Sequence, residues 1–225
     1  MSTLYHLTGS ISTLAFVANM GGLVRQLVAI LQRKRAGESG PVEPGHATEA
    51  LSTYHFFVRF FAFWVMFVLG SSTEPTNHYL AWSRYAAIFI VLLILREIAA
   101  DRSDHRTQVA WRAGLGMTVA ATVAVFLYNG PTAEVRTWIA RGTSIVLAAL
   151  IFHSDRDQLR IMKEKNTTGA VSLTAHLTSI FKESTNLLFG WAMGLAAGWP
   201  LMLPSTVSLL TKSAIAWRFR GRGRA

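Results

Sequence analysis

Seven apolar segments, each about long enough to cross a bilayer, are separated by loops whose basic residues come and go in alternation. The segments are expected at 11–32, 51–70, 79–98, 109–128, 136–158, 172–194 and 199–217. Arg33, Lys34 and Arg35 follow the first, and Arg102 and Arg106 follow the third. Arg160, Lys163 and Lys165 follow the fifth, and Arg218, Arg220, Arg222 and Arg224 follow the seventh. Residues 1–10 and the loops after the second, fourth and sixth segments contain no Lys or Arg. Basic residues favour the cytoplasmic side of a membrane, so the pattern predicts an outer N-terminus, a cytoplasmic C-terminus and an odd number of spans. The runs are too long for strands and lack their two-residue alternation, which leaves an all-α membrane protein of seven helices.

Only 15% of the residues are charged, against about 25% in soluble domains. A net charge of +10 raises nucleic acid as a partner, but the basic residues lie in alternating loops, so the expected partner is the lipid bilayer and not nucleic acid. The chain has no Cys, which rules out disulfides and thiolate metal sites. Residues 1–10 lack a basic signal-peptide region, so the first apolar stretch is expected to be retained. Gly and Pro mark the breaks: Gly40-Pro41, Pro44-Gly45, Pro75, Asn129-Gly130-Pro131, and Gly198-Trp199-Pro200, the last expected to open the final helix.

A short pattern recurs 132 residues apart. Arg25-Gln26-Leu27 runs into Arg33-Lys34-Arg35-Ala36-Gly37-Glu38-Ser39, and Asp157-Gln158-Leu159 runs into Lys165-Asn166-Thr167-Thr168-Gly169-Ala170-Val171-Ser172. Each copy closes an apolar helix on a side marked as cytoplasmic. Repeated halves are a recurring construction in transporters. With seven helices, the repeat suggests three, one linker and three: residues 1–98 as the first repeat, 99–130 as the linker helix and 131–225 as the second repeat. An odd linker makes the two triplets parallel in the membrane.

Both copies resemble the PQ-loop, whose family includes the SWEET sugar transporters, lysosomal amino-acid exporters and, more distantly, the KDEL receptor. Pro204-Ser205 resembles the start of the third helix of such a triplet. The resemblance implies a seven-helix transporter that works by alternating access. It further implies that Asn and Trp on the second helix of each triplet line the solute site: Asn186 and Trp191 in the second, Trp64 in the first. The family Pro is absent, with Arg25 and Asp157 in its place. The helix bending that this Pro allows in the SWEET branch is therefore not implied here. Gly21-Gly22 is a candidate substitute.

A charge near the bilayer centre costs about 2.5–3.5 kcal/mol on insertion scales, yet the segments hold several. Lys182-Glu183 is the sharpest case, because neighbours about 100° apart on a helix cannot both face lipid. A buried ion pair and a transport pathway both fit it. Asn186, three residues on, shares the Glu183 face. Arg84 and Arg141 lie near helix ends and read as interfacial anchors. Opposite signs at corresponding places suggest pairs. Arg25 and Asp157, with Gln26 and Gln158, form a candidate gate. Arg59 matches Glu183 if Gly70 is aligned with Gly194. Asp155, Glu183 and His153 are the candidates for proton coupling.

The expected function is transport of a small polar solute (a sugar, an amino acid or a vitamin-like molecule) across a plasma or inner membrane, with proton coupling and homo-oligomer formation left open. Two alternatives share the helix count: a KDEL-receptor-like ligand receptor, and a retinal protein with Lys212 as the Schiff-base residue. No enzyme is expected, since Gly142-Thr143-Ser144 lacks a nucleophile context and no His-Glu-x-x-His stands in the chain. No cofactor or metal is expected.

Overall fold

A computed structural model describes residues 2–37, 48, 51–126, 132–164 and 173–220. Among these, every regular element is an α-helix: α1 (Thr3–Gly37), α2 (Thr53–Ser72), α3 (His78–Arg102), α4 (His105–Phe126), α5 (Thr132–Glu164), α6 (Leu173–Ala192) and α7 (Leu195–Arg220). Helices α1 to α5 are long and apolar enough to cross a membrane. Several helices outrun the apolar segments that announce them, α1 and α5 by the most. Polar and basic turns continue a helix wherever no Gly or Pro stops it.

The starts are capped as short polar side chains dictate. Ser52 accepts the His55 N–H at 3.2 Å, and Asn77 accepts the Leu80 N–H at 3.2 Å. Between α3 and α4, Ser103 adopts a left-handed conformation and its N–H returns to Ala99 O at 3.2 Å. The break between α6 and α7 differs from expectation. Gly194, at φ +84°, makes the turn, while Pro200 and Pro204 lie inside α7. Only Gly takes that φ without strain, whereas neighbouring groups let proline sit inside membrane helices.

The helix lengths repeat. Helices α1, α2 and α3 have 35, 20 and 25 residues, and α5, α6 and α7 have 33, 20 and 26. Both ends of α2 and α6 correspond at an offset of 120. Contact glycines agree with it. A Cβ on Gly70 of α2 would stand 2.7 Å from Ala81 N of α3, and one on Gly190 of α6 would stand 2.5 Å from Met202 Cγ of α7. A Cβ on Gly198 would overlap the Gly190 backbone. Gly190, not Gly194, is therefore the counterpart of Gly70. This corrects the alignment that matched Arg59 with Glu183: at an offset of 120 Arg59 corresponds to Ser179.

Two compact units are present. One joins Met1–Asn19 to Trp138–Ala225, and the other is Met20–Thr137. In the second unit α2 packs on α3, and α4 lies against both. Phe56, Phe60, Phe63 and Phe67 form a buried stripe along α2 at helical spacing. Ile88, Val91, Ile94, Leu95 and Ile98 are buried on α3. Arg84 departs from the snorkelling anchor expected of it. It is 2% exposed, and its guanidinium folds back to Tyr79 O at 3.1 Å and Ser83 Oγ at 2.8 Å. In the first unit α6 packs on α7. The N-terminal half of α1 joins α6 through Tyr5 and Phe189, whose rings lie 5.2 Å apart.

Candidate functional site

Glu183 stands at the midpoint of α6, buried, at the centre of a polar cluster. Its Oε1 lies 2.7 Å from Lys182 Nζ and 3.5 Å from Lys212 Nζ of α7. Ser208 Oγ donates to the same oxygen at 3.0 Å, and Lys212 Nζ donates to Ser208 Oγ at 2.7 Å. On the other oxygen, Oε2 accepts from Asn186 Nδ2 at 3.2 Å. Asn186 Oδ1 in turn accepts from Ser12 Oγ of α1 at 2.8 Å. Helical spacing builds the arrangement: Glu183 and Asn186 are three apart on α6, and Ser208, Thr211 and Lys212 are three and four apart on α7.

The cluster continues to α5. Thr211 Oγ1 donates to buried Asp155, and it also reaches Ser208 O at 3.2 Å. Ser12, Asn186, Glu183, Ser208, Thr211 and Asp155 thus form one polar thread through all four helices of this unit, and all six are buried. In low dielectric such contacts are strong when every member is satisfied and costly when one is not. The two carboxylates differ in setting. Glu183 meets two ammonium groups, while Asp155 meets a hydroxyl.

The same places in the first triplet are apolar. At the α2–α6 offset of 120, Lys182, Glu183 and Asn186 correspond to Ala62, Phe63 and Met66. The contacts of Gly70 with Ala81 and of Gly190 with Gly198 set the α3–α7 offset at 117. Ser208, Thr211 and Lys212 then correspond to Val91, Ile94 and Leu95. Phe63, Met66, Val91, Ile94 and Leu95 are all buried. One triplet has an oily core where the other has charge.

Of the residues picked from sequence, Glu183 and Asn186 meet directly, and Asp155 joins them through Thr211 and Ser208. His153 is exposed. Trp191 is 60% exposed on α6. Trp64 belongs to the other unit, where its Nε1 donates to Met117 O at 2.9 Å and ties α2 to α4. Arg59 and Gln26 are half-buried and Arg25 is exposed, all in that unit. The side chains of Asp157 and Gln158 lie outside the described residues, as does the loop of the second motif. Sequence reading missed Ser12, Ser208 and Thr211. The spacing of Ser208, Thr211 and Lys212 carried a signal of one polar face, whereas Ser12 meets its partner across 174 residues and carried none. A cavity of about 730 Å³ at the α2–α3 turn of the Met20–Thr137 unit is lined by Glu74, His78, Trp82, Phe126, Glu134 and Arg136 among others, and by none of the expected site residues.

No protein-family profile matches the chain, and no curated protein sequence matches it. Among solved structures, a eukaryotic SWEET transporter matches over 99% of this chain and 100% of that one, with a TM-score of 0.65 and 13% sequence identity. The chain therefore has the seven-helix SWEET fold. That fold and the apolar helices together support an integral membrane protein.

Proposed function

We propose that the protein is a transporter that carries a small polar solute across a plasma or inner membrane by alternating access, with Glu183 and Asn186 at the solute pathway. One observation carries the reading: the buried thread around Glu183 stands where the corresponding positions of the first triplet are apolar. Intramembrane charges are expensive and by default mark a pathway or relay. An apolar core serves the same fold in the other triplet, so stability alone gives no reason for charge in this one. A solute with hydroxyl, amide or charged groups could exchange hydrogen bonds with Asn186, Ser208 and Lys212 as the path opens. Trp64, Trp191 and Arg59 remain proposed as further lining residues, and Arg25–Asp157 with Gln26 and Gln158 as the gate.

We assign proton coupling to Asp155 and Glu183, with His153, exposed on α5 two residues before Asp155, as the relay toward solvent. The 1–98, 99–130 and 131–225 division and the outer N-terminus belong to the same reading, supported by the repeating helix lengths and the alternating basic loops.

Uptake into liposomes containing the purified protein tests the proposal, with sugars, amino acids and vitamin-like solutes offered with and without a pH gradient. Saturable uptake that falls at least tenfold in Glu183→Gln and Asn186→Leu is the expected result. Tight binding of a solute without translocation would replace the transporter by a receptor of the same fold.

A further inference from the structure

Among the described residues, the thread around Glu183 holds one cation and one anion that do not pair with each other. Glu183 itself is well supplied. Lys182 Nζ stands 2.7 Å from its Oε1, Ser208 Oγ donates to the same oxygen at 3.0 Å, and Asn186 Nδ2 donates to Oε2 at 3.2 Å. Lys212 is the second ammonium on this one carboxylate, at 3.5 Å, beyond the roughly 2.7–2.9 Å of a charge-assisted hydrogen bond. Its close partner is a neutral hydroxyl, Ser208 Oγ at 2.7 Å. Asp155 is the mirror case. It is 6% exposed, and its partner is again a hydroxyl, Thr211 Oγ1. Arg156, the next residue on α5, is exposed and leaves the helix about 100° away. Buried charges are ordinarily paired with opposite charges, yet here an ammonium and a carboxylate each rest on a hydroxyl.

We propose that the solute is a zwitterion of the amino-acid class, its carboxylate on Lys212 and its ammonium on Asp155. The proposal rests on the reading of this cluster as the solute pathway, and it narrows the solute. Ser208 and Thr211 are three residues apart on α7, and Thr211 Oγ1 reaches Ser208 O at 3.2 Å. The hydroxyls that carry the two charges therefore lie within one turn of a helix. The Lys212 side chain is 20% exposed against 6% for Glu183, so Lys212 is the member that a solute meets first.

Charge balance selects the class. Lys182 and Lys212 offset Glu183 and Asp155, so the cluster is neutral as a whole. A solute of one net charge would leave an excess charge in low dielectric. An acid would answer Lys212 and leave Asp155 on its hydroxyl, and an amine would do the reverse. A sugar brings hydroxyls but no counter-charge for either. A zwitterion answers both charges at once, keeps the cluster neutral and leaves the 2.7 Å pair of Lys182 with Glu183 intact. Ammonium and proton compete for Asp155, so solute loading discharges the proton that the coupling reading places there.

The full-length protein provides the test, in detergent for binding by calorimetry and in liposomes for uptake. Alanine, leucine and glutamine are each compared with the hydroxy acid that lacks the ammonium and the amide that lacks the carboxylate, with glucose alongside. At least one amino acid should bind at least tenfold more tightly than both of its analogues and than glucose. Two variants should split that preference. Lys212→Gln should lose the advantage of the amino acid over its amide, and Asp155→Asn the advantage over its hydroxy acid, while the binding that remains shows that each variant is folded. A hydroxy acid or an amide bound by the unaltered protein as tightly as the amino acid would overturn the proposal, and so would failure of all three amino acids to bind. Saturable glucose uptake in that last case would leave the transporter reading intact. Amino-acid binding without uptake would instead uphold the solute class and overturn transport.

Discussion

Removing Glu183 alone should damage the protein more than removing the whole charged cluster. In Glu183→Ala, Lys182 and Lys212 lose a carboxylate oxygen at 2.7 and 3.5 Å, while Ser208 and Asn186 lose an acceptor at 3.0 and 3.2 Å. Breaking a buried ion pair from one side costs about 3–5 kcal/mol, because the remaining charge stays desolvated. The two lysine side chains keep 12% and 20% of their exposure, so water relieves part of that cost and about 3 kcal/mol is expected. The triple variant Lys182→Leu, Glu183→Met, Lys212→Met instead replaces the cluster with apolar groups of similar volume. Such replacements are neutral or stabilising by about 1–4 kcal/mol, and the corresponding Ala62, Phe63 and Leu95 show that this fold accepts apolar residues there. The triple variant should thus be more stable than the single by about 3 kcal/mol or more. Unfolding titrations in mixed micelles, followed by circular dichroism, measure the difference, and liposome uptake should be lost in both. A triple variant as unstable as Glu183→Ala would refute the reasoning. The network would then be a net source of stability, and its presence would need no functional explanation.

Other positions separate packing from function. Gly198→Ala should destabilise by about 1–3 kcal/mol in the same titrations, since its Cβ meets the Gly190 backbone. Gly21→Ala and Gly22→Ala meet nothing within 4 Å, so each should stabilise α1 by about 0.5–1 kcal/mol; uptake that falls while stability rises would assign this pair a bending role. Trp64→Phe removes the 2.9 Å bond to Met117 O and should cost about 0.5–1.5 kcal/mol, read from thermal unfolding. At the α3–α4 turn, the Thr107 N–H holds the Asp104 carboxyl below its ordinary value of 3.8. Its contribution to stability is therefore present above that ordinary value and lost as the pH falls through the lower value of the folded protein. Asp104→Asn keeps the cap and should flatten the melting-temperature profile in that acid range; an unchanged profile would count against the cap.

Much of the architecture was legible because a bilayer leaves few choices. Long apolar runs must be helices. Helix ends were less legible, since a helix runs on through Arg, Lys and Glu until a special backbone stops it. At the α6–α7 break the stop is Gly194, whose φ of +84° is invisible in a sequence that also offers Gly190 and Gly198 a few residues away. Those two glycines serve close packing instead. Taking Gly194 as the partner of Gly70 confused a turn glycine with a contact glycine, and four residues of slip turned Ser179 into Glu183 as the counterpart of Arg59.

Symmetry was nevertheless the right guide, used differently. Opposite charges at matched positions can pair only if both halves keep polar residues at the same depth. The halves instead keep the backbone (helix lengths and contact glycines) and differ in what fills it. Phe63 and Leu95 occupy positions that hold Glu183 and Lys212 in the other triplet. A duplicated fold contains its own control, because what one half achieves with oil the other could achieve as well. Charge that persists in only one core is therefore the part that folding does not require, and Glu183 with its thread stands out once the register is set by backbone contacts.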